Sequence, residues 1–141
     1  MGTLADIAKP NFIDVAPEDT LGEVAERMTR QNTGAVVVKD FGRLIGILTE
    51  RDMLRAMAAR VHTSDARVRQ WMTVDPVTAP PDMDLDEAAQ IMLDNGFRHL
   101  PVVEGTTVLG VVSLRRVLGG RRQPVQESGA EPASEPEPEA A

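Results

Sequence analysis

The residues best suited to chemistry lie in Gly46-Ile-Leu-Thr49-Glu-Arg-Asp52, where a hydroxyl and a carboxylate stand three positions apart as a helical stretch begins. A helix N-terminus offers unpaired backbone N–H groups and the positive end of a dipole, so it favours anions. Thr49 and Asp52 also have a plainer reading. A Thr three residues before an acid is an ordinary N-terminal cap, and the dipole alone favours Asp in a first turn. The basic candidates are Arg98-His99 and Arg115. Their plainer readings are a packed strand histidine and a solvated helix face. Catalysis has little to work with. His62 and His99 are the only histidines, cysteine is absent, and no carboxylate pair has metal-ligand spacing. Ser113, His99 and an acid lack any triad-like spacing. The chain reads as a non-enzyme that requires no metal.

An internal repeat sorts these candidates. Residues 12–54 realign without a gap on 76–118, each position shifted by 64. Pro17 falls on Pro81, Leu21 on Leu85, Met28 on Met92, Val38 on Val102 and Gly46 on Gly110. Tandem units of this kind bury their apolar faces against each other, and each serves as a control for its neighbour. A residue that packing requires recurs in the second unit, and one that serves a ligand need not. Thr49 recurs as Ser113, whereas Asp52 is replaced by Arg116, which cannot accept a hydrogen bond. Arg98-His99 stands where the first unit has Gly34-Ala35, and Arg115 is matched by Arg51.

The elements that position these residues follow one order in both units. Short extended stretches, Phe12-Ile-Asp-Val15 and Pro76-Val-Thr-Ala79, lead to helix starts at Thr20-Leu-Gly-Glu23 and Asp84-Leu-Asp-Glu87, a capping box and a close variant. Helical spacing follows in Leu21, Val24, Ala25, Met28 and in Leu85, Ala88, Ala89, Met92. Asn32-Thr-Gly34 and Asn95-Gly96 supply left-handed residues that end those helices. Strands are predicted at 35–39 with 44–49 and at 99–103 with 108–113, joined by turns at Asp40-Phe-Gly-Arg43 and Glu104-Gly-Thr-Thr107. Second short helices start from Glu50 and Leu114, and Gly119-Gly120 is expected to end the latter. The near-continuous apolar strands Val36-Val-Val38 and Leu109-Gly-Val-Val112 should be covered on both faces. Residues 60–74 join the halves, with Ser64 expected to cap a short helix that packs Trp71 between the repeats. The divisions are 1–59, 60–74, 75–122 and a tail over 123–141.

Bulk properties narrow the function classes. A chain of 141 residues is one domain's worth, or two small units sharing a core. Aromatic residues make up 3%, which argues against stacking platforms for single-stranded nucleic acid. The lack of cysteine excludes disulfides and suits a cytoplasmic protein. Met1-Gly-Thr-Leu-Ala-Asp6 does not read as a signal peptide, and no apolar stretch is long enough to span a bilayer. The net charge is −7, but five acids and no bases lie in 123–141, leaving −2 for residues 1–122. That Pro-, Glu- and Ala-rich tail reads as disordered and solubilising. Nucleic-acid binding through Arg115, Arg116, Arg121 and Arg122 is the weaker reading, because the cluster faces this acidic tail.

Gly34-Ala-Val-Val-Val38 before Gly46-Ile-Leu-Thr-Glu-Arg-Asp52, and Arg98-His-Leu-Pro-Val-Val103 before Gly110-Val-Val-Ser113, carry a family resemblance over about residues 3–120. Trp71-Met72-Thr73 opens the second half. Each unit resembles the cystathionine-beta-synthase (CBS) domain, and the tandem resembles a CBS pair, or Bateman module. The resemblance implies an α/β (α+β) fold of two β-α-β-β-α repeats packed about a pseudo-twofold axis. It implies clefts that bind an adenine nucleotide (AMP, ADP or ATP) or, less often, S-adenosylmethionine. It also implies a homodimer of pairs arranged as a flat disc.

By that resemblance, Gly-x-x-Thr-x-x-Asp is the nucleotide signature, with Asp52 accepting from the ribose hydroxyls and Thr49 beside it. The phosphates would reach Arg98 and His99 of the opposite repeat, with a further contact from Arg115, while Ile47 and Val77 flank the base. The family's usual order is His then Arg, and here it is reversed. The expectation is one composite site per chain, in a regulatory module that acts through a regulated partner or through self-association. The alternative is a ligand-free dimerisation module.

Overall fold

The computed structural model describes residues 2–122, so the expected tail lies outside the described residues. The first repeat contains β1 (Asp14–Val15), α2 (Leu21–Gln31), β2 (Ala35–Asp40), β3 (Arg43–Thr49) and α3 (Glu50–Ala58). The second contains α5 (Leu85–Asn95), β5 (His99–Glu104), β6 (Thr107–Ser113) and α6 (Leu114–Arg122). Two short helices precede them, α1 (Leu4–Ile7) and α4 (Val68–Trp71), the latter followed by β4 (Thr73–Val74). Thr20 and Glu23 form the expected reciprocal capping box at α2. At α5 the Asp84 carboxylate instead accepts from the N–H of Asp86, a simpler cap. Asn32 (φ 53°) and Gly96 (φ 76°) end α2 and α5 in the left-handed region, where a short amide side chain and glycine are tolerated best.

The predicted hairpins form, β2 with β3 and β5 with β6, with a register shift at the same place in each. The sheets nonetheless differ. The first has four strands in the order β1-β2-β3-β4, and the second has only β5-β6. Pro101 accounts for part of the difference. In the first repeat the N–H of Val37 donates to the carbonyl of Ile13 at 3.1 Å, and Pro101 occupies the matching place with no N–H to give. Its segment, expected as a strand over 76–79, is reduced to one parallel bridge from Ala79 to Val102.

The two short helices extend the repeat and cross over. Residues 3–10 match 67–74 at the same offset, and the bridge Thr20–Arg67 has its counterpart in Asp84–Thr3. In sequence α1 precedes the first repeat, yet Leu4 is buried in the second core with Leu85, Met92, Leu100 and Val117. In turn α4, which precedes the second repeat, places Val68 in the first core with Leu21, Val24, Val36 and Leu48. Each core is thus closed by the segment that leads into the other repeat. Gly46 and Gly110 have a packing reason here. A Cβ at Gly46 would lie 2.9 Å from the carbonyl oxygen of Thr73, and one at Gly110 would lie 2.6 Å from that of Lys9.

Three expectations are corrected by this packing. Arg67, with its N–H bonded to Gln70 Oε1 at 2.8 Å, sits at the N-cap of α4, and Ser64 lies in the preceding turn. Trp71 packs on the first core and not between the repeats. Helix α6 continues through Gly119-Gly120. A Cβ at Gly120 would lie 3.0 Å from Leu85 and 3.3 Å from Ile7, so glycine there lets α6 lie close against α5 and α1.

Strand periodicity puts Val36, Val38 and Leu48 on their own helices. Ala35, Val37 and Ile47, on the opposite face, are buried as well, and β2 contacts β6 of the other repeat. The sheets therefore meet through those second faces at the pseudo-twofold axis, as the continuous apolar runs predict.

Candidate functional site

At the junction of β3 and α3, Thr49 is an extended N-cap (φ −121°, ψ 168°) and Asp52 lies in the first helical turn. Asp52 Oδ2 accepts from the Thr49 N–H at 2.9 Å and from the Thr49 hydroxyl at 3.2 Å. Its Oδ1 accepts from Arg55 Nη1 at 2.9 Å. The carboxylate is 8% exposed, and Asp52 is the one buried charged residue among those described. The cap reading is therefore realised in full. The site reading is not displaced by it, because burying a carboxylate is costly and a surface cap does not need it.

His99 comes to this junction from the other repeat. A Cβ on Gly34 would lie 3.4 Å from His99 Nε2 and 2.9 Å from Glu50 Oε2, so imidazole and carboxylate converge over that glycine. The Glu50 N–H donates to the Gly34 carbonyl at 2.9 Å and thereby fixes the strand–helix corner. The symmetry-related positions hold Ala35, Leu114 and Arg98, so the imidazole–carboxylate pair over Gly34 has no counterpart at the second junction. Glu50 was missed as a candidate in the sequence, although its alignment with Leu114 marks it.

Burial pushes the His99 imidazole below its ordinary pKa of 6.5, and the neighbouring Arg98 charge lowers it further. His99 is thus neutral at pH 7 when no anion lies beside it. The lowered value means that the unfolded chain binds the proton more readily. The stability contributed is present above pH 6.5 and is lost as pH falls through the folded-state value. Chemical denaturation of the wild type and His99→Gln between pH 7.5 and 4.5 checks this. The wild type should lose stability below about pH 6.5 more steeply than the variant. Parallel profiles would assign the acid sensitivity elsewhere.

The remaining candidates do not all lie at this junction. Arg98 is exposed, with its carbonyl accepting from the Leu114 N–H at 2.8 Å. Ile47 is buried in β3, in register with Val37 and with Thr73 of β4. Val77 is 47% exposed whereas its counterpart Ile13 is 3%, a consequence of the strand that Pro101 prevents. Arg115 sits exposed in the first turn of α6, at the second junction and not the first. At that junction Ser113 Oγ accepts from the Arg116 N–H at 3.1 Å, so the cap recurs. Arg116 itself donates from Nε to the Ile7 carbonyl at 3.1 Å and ties α1 down. Where the first repeat offers a carboxylate, the second has a clamp on α1, the segment that leads into the first repeat. Among the described residues no group of three or more His, Cys, Asp or Glu could hold a metal.

The CBS domain family model matches residues 4–59 and again residues 68–121. The chain belongs to the CBS domain family. This CBS pair is 32% identical to the CBS domain-containing protein YhcV of Bacillus subtilis over 81% of each chain. It is 39% identical to an uncharacterized 17.7 kDa protein of Acidianus ambivalens, over 79% of this chain and 68% of that one. Among solved structures, the CBS pair is similar to the CBS-domain containing protein ATU1752 from Agrobacterium tumefaciens. That likeness has a TM-score of 0.74 and 32% identity, covering 79% of this chain and 90% of that one. It is also similar to the CBS domain pair of protein MJ0100, solved with 5′-methylthioadenosine and S-adenosylmethionine. Here the TM-score is 0.77 with 25% identity, covering 84% of this chain and 98% of that one. No helix among the described residues is long and apolar enough to cross a membrane.

Proposed function

We propose that this CBS pair is a regulatory sensor that binds one adenosyl ligand, an AMP-, ADP- or ATP-type nucleotide, at the Thr49/Asp52 junction. The observation that carries the reading is the buried Asp52 carboxylate at the β3–α3 junction, a junction that His99 of the other repeat approaches over Gly34 and beside Glu50, while the matching Arg116 is tied to the chain's own backbone. Asp52 takes the ribose diol, Ile47 and Val77 flank the base, and Arg98 and His99 receive the phosphates, with Arg115 further out. The adenosyl ligands of the similar MJ0100 pair support this class and keep S-adenosylmethionine as the alternative.

The module is regulatory and not catalytic, and it works in the cytoplasm through a regulated partner or through self-association. Leu54 and Met57 of α3, 65% and 70% exposed, suit a homodimer of pairs. Titration calorimetry with adenosine, AMP, ADP, ATP and S-adenosylmethionine tests the ligand class. Heat is expected with at least one of them, and no heat at millimolar ligand would leave the dimerisation module as the reading. The Arg98→Ala variant separates the phosphate contact from the rest of the site. It should lose about 1.5–3 kcal/mol for AMP and bind adenosine as before, since a charge-assisted phosphate contact is all it removes. Equal effects on both ligands would take Arg98 out of the phosphate subsite.

A further inference from the structure

Asp52 Oδ1 is already occupied by the chain itself. Arg55 donates to it at 2.9 Å, and the same guanidinium carbon lies 5.5 Å from the centroid of the Trp71 ring. Trp71 rests on the first core and also lines an open cavity of about 390 Å³ with Val61, His62, Asp65, Ala66 and Gln70. The second repeat shows that packing does not require this arrangement. At the offset of 64, Asp52, Arg55 and Trp71 correspond to Arg116, Gly119 and Ile7, so all three members change together.

We infer that Arg55 is a gate on the Asp52 site, which couples ligand occupancy to Trp71 and the segment joining the repeats. The inference rests on the adenosyl site proposed above. Oδ2 already accepts two hydrogen bonds from Thr49, so a diol that donates twice must draw on Oδ1. Oδ1 has room for one donor beside Arg55, and a second displaces the guanidinium. The side chain is 58% exposed, so it can swing off the carboxylate towards solvent. Trp71 feels the change directly through the ring contact. It ends α4, whose next residues form β4 on β3 at Gly46 and Ile47, so the linker is attached to both sides of the gate. Arg55 is thus a positioning residue for the carboxylate.

Trp71 is the only tryptophan, so its emission reports on the gate without a label. Adenosine is the probe, because it carries no charge and Arg55 can influence it only through Asp52 and not by attracting phosphate. Calorimetry and Trp71 emission are followed together in the 141-residue wild-type chain, Arg55→Ala and Arg55→Lys. In the wild type both signals should saturate at the same adenosine concentration. Arg55→Ala should bind adenosine about two- to fivefold more tightly, the worth of a half-exposed ion pair, and its emission should no longer follow binding. Arg55→Lys keeps the charge without the planar face, so it should bind like wild type with a weakened emission signal. Unchanged or weaker adenosine binding in Arg55→Ala would overturn the gate, as would an emission response that survives without Arg55. Heat from wild type with flat emission rejects the gate alone. No heat from wild type rejects the adenosyl site and the gate with it.

Discussion

Asp52→Ala is expected to weaken adenosine and AMP together by about 100-fold or more. Hydrogen bonds to a charged group contribute about 1.5–3 kcal/mol each, and the ribose diol would lose two. The effect is independent of phosphate, which distinguishes it from Arg98→Ala. Stability should fall far less, because Thr49 stays in place as the N-cap and a lost cap interaction costs about 1 kcal/mol. Calorimetry and thermal melting on the same protein separate the two consequences. A variant that melts earlier yet binds adenosine as before would establish Asp52 as a capping residue and nothing more.

Leu4→Ala should be among the most destabilising single changes in the chain, although it lies four residues from the N-terminus. Leu4 is 0% exposed in the second core, and truncating a buried leucine to alanine costs about 2–5 kcal/mol. The arm that carries it is held by the Leu4 N–H on the Met83 carbonyl at 2.9 Å and the Ala5 N–H on the Pro81 carbonyl at 2.8 Å. Arg116 adds the bond to Ile7. Urea unfolding provides the measurement. A loss under about 0.5 kcal/mol, the range of ordinary surface substitutions, would mean that the arm does not close the second core.

Leu4 also marks where sequence reasoning stops. The gapless offset, the helical spacing of Leu21 to Met28 and the hairpin turns are local signals, and the fold follows them closely. Nothing local says which core a four-residue helix will enter, so the crossing of α1 and α4 becomes legible only through packing. Pro101 was visible as a residue, but its consequence for Val77 depends on the parallel pairing of segments far apart in sequence. In the candidate site, the Thr49–Asp52 cap was legible because a strand-to-helix boundary has its own pattern. His99 was legible as a departure from the repeat, whereas its neutral state follows from burial. Glu50, Arg55 and Trp71 were each present as unmatched positions in the repeat comparison. Their grouping needed the geometry that brings Glu50 to His99 and Arg55 between Asp52 and Trp71.

The asymmetry between Asp52 and Arg116 is the central claim, and stoichiometry tests it most directly. AMP titrated calorimetrically into the wild-type chain at known active concentration should saturate at one molecule per chain. Two equivalent AMP molecules per chain would show that the second cleft also binds despite Arg116 and its hold on Ile7, and would contradict the claim.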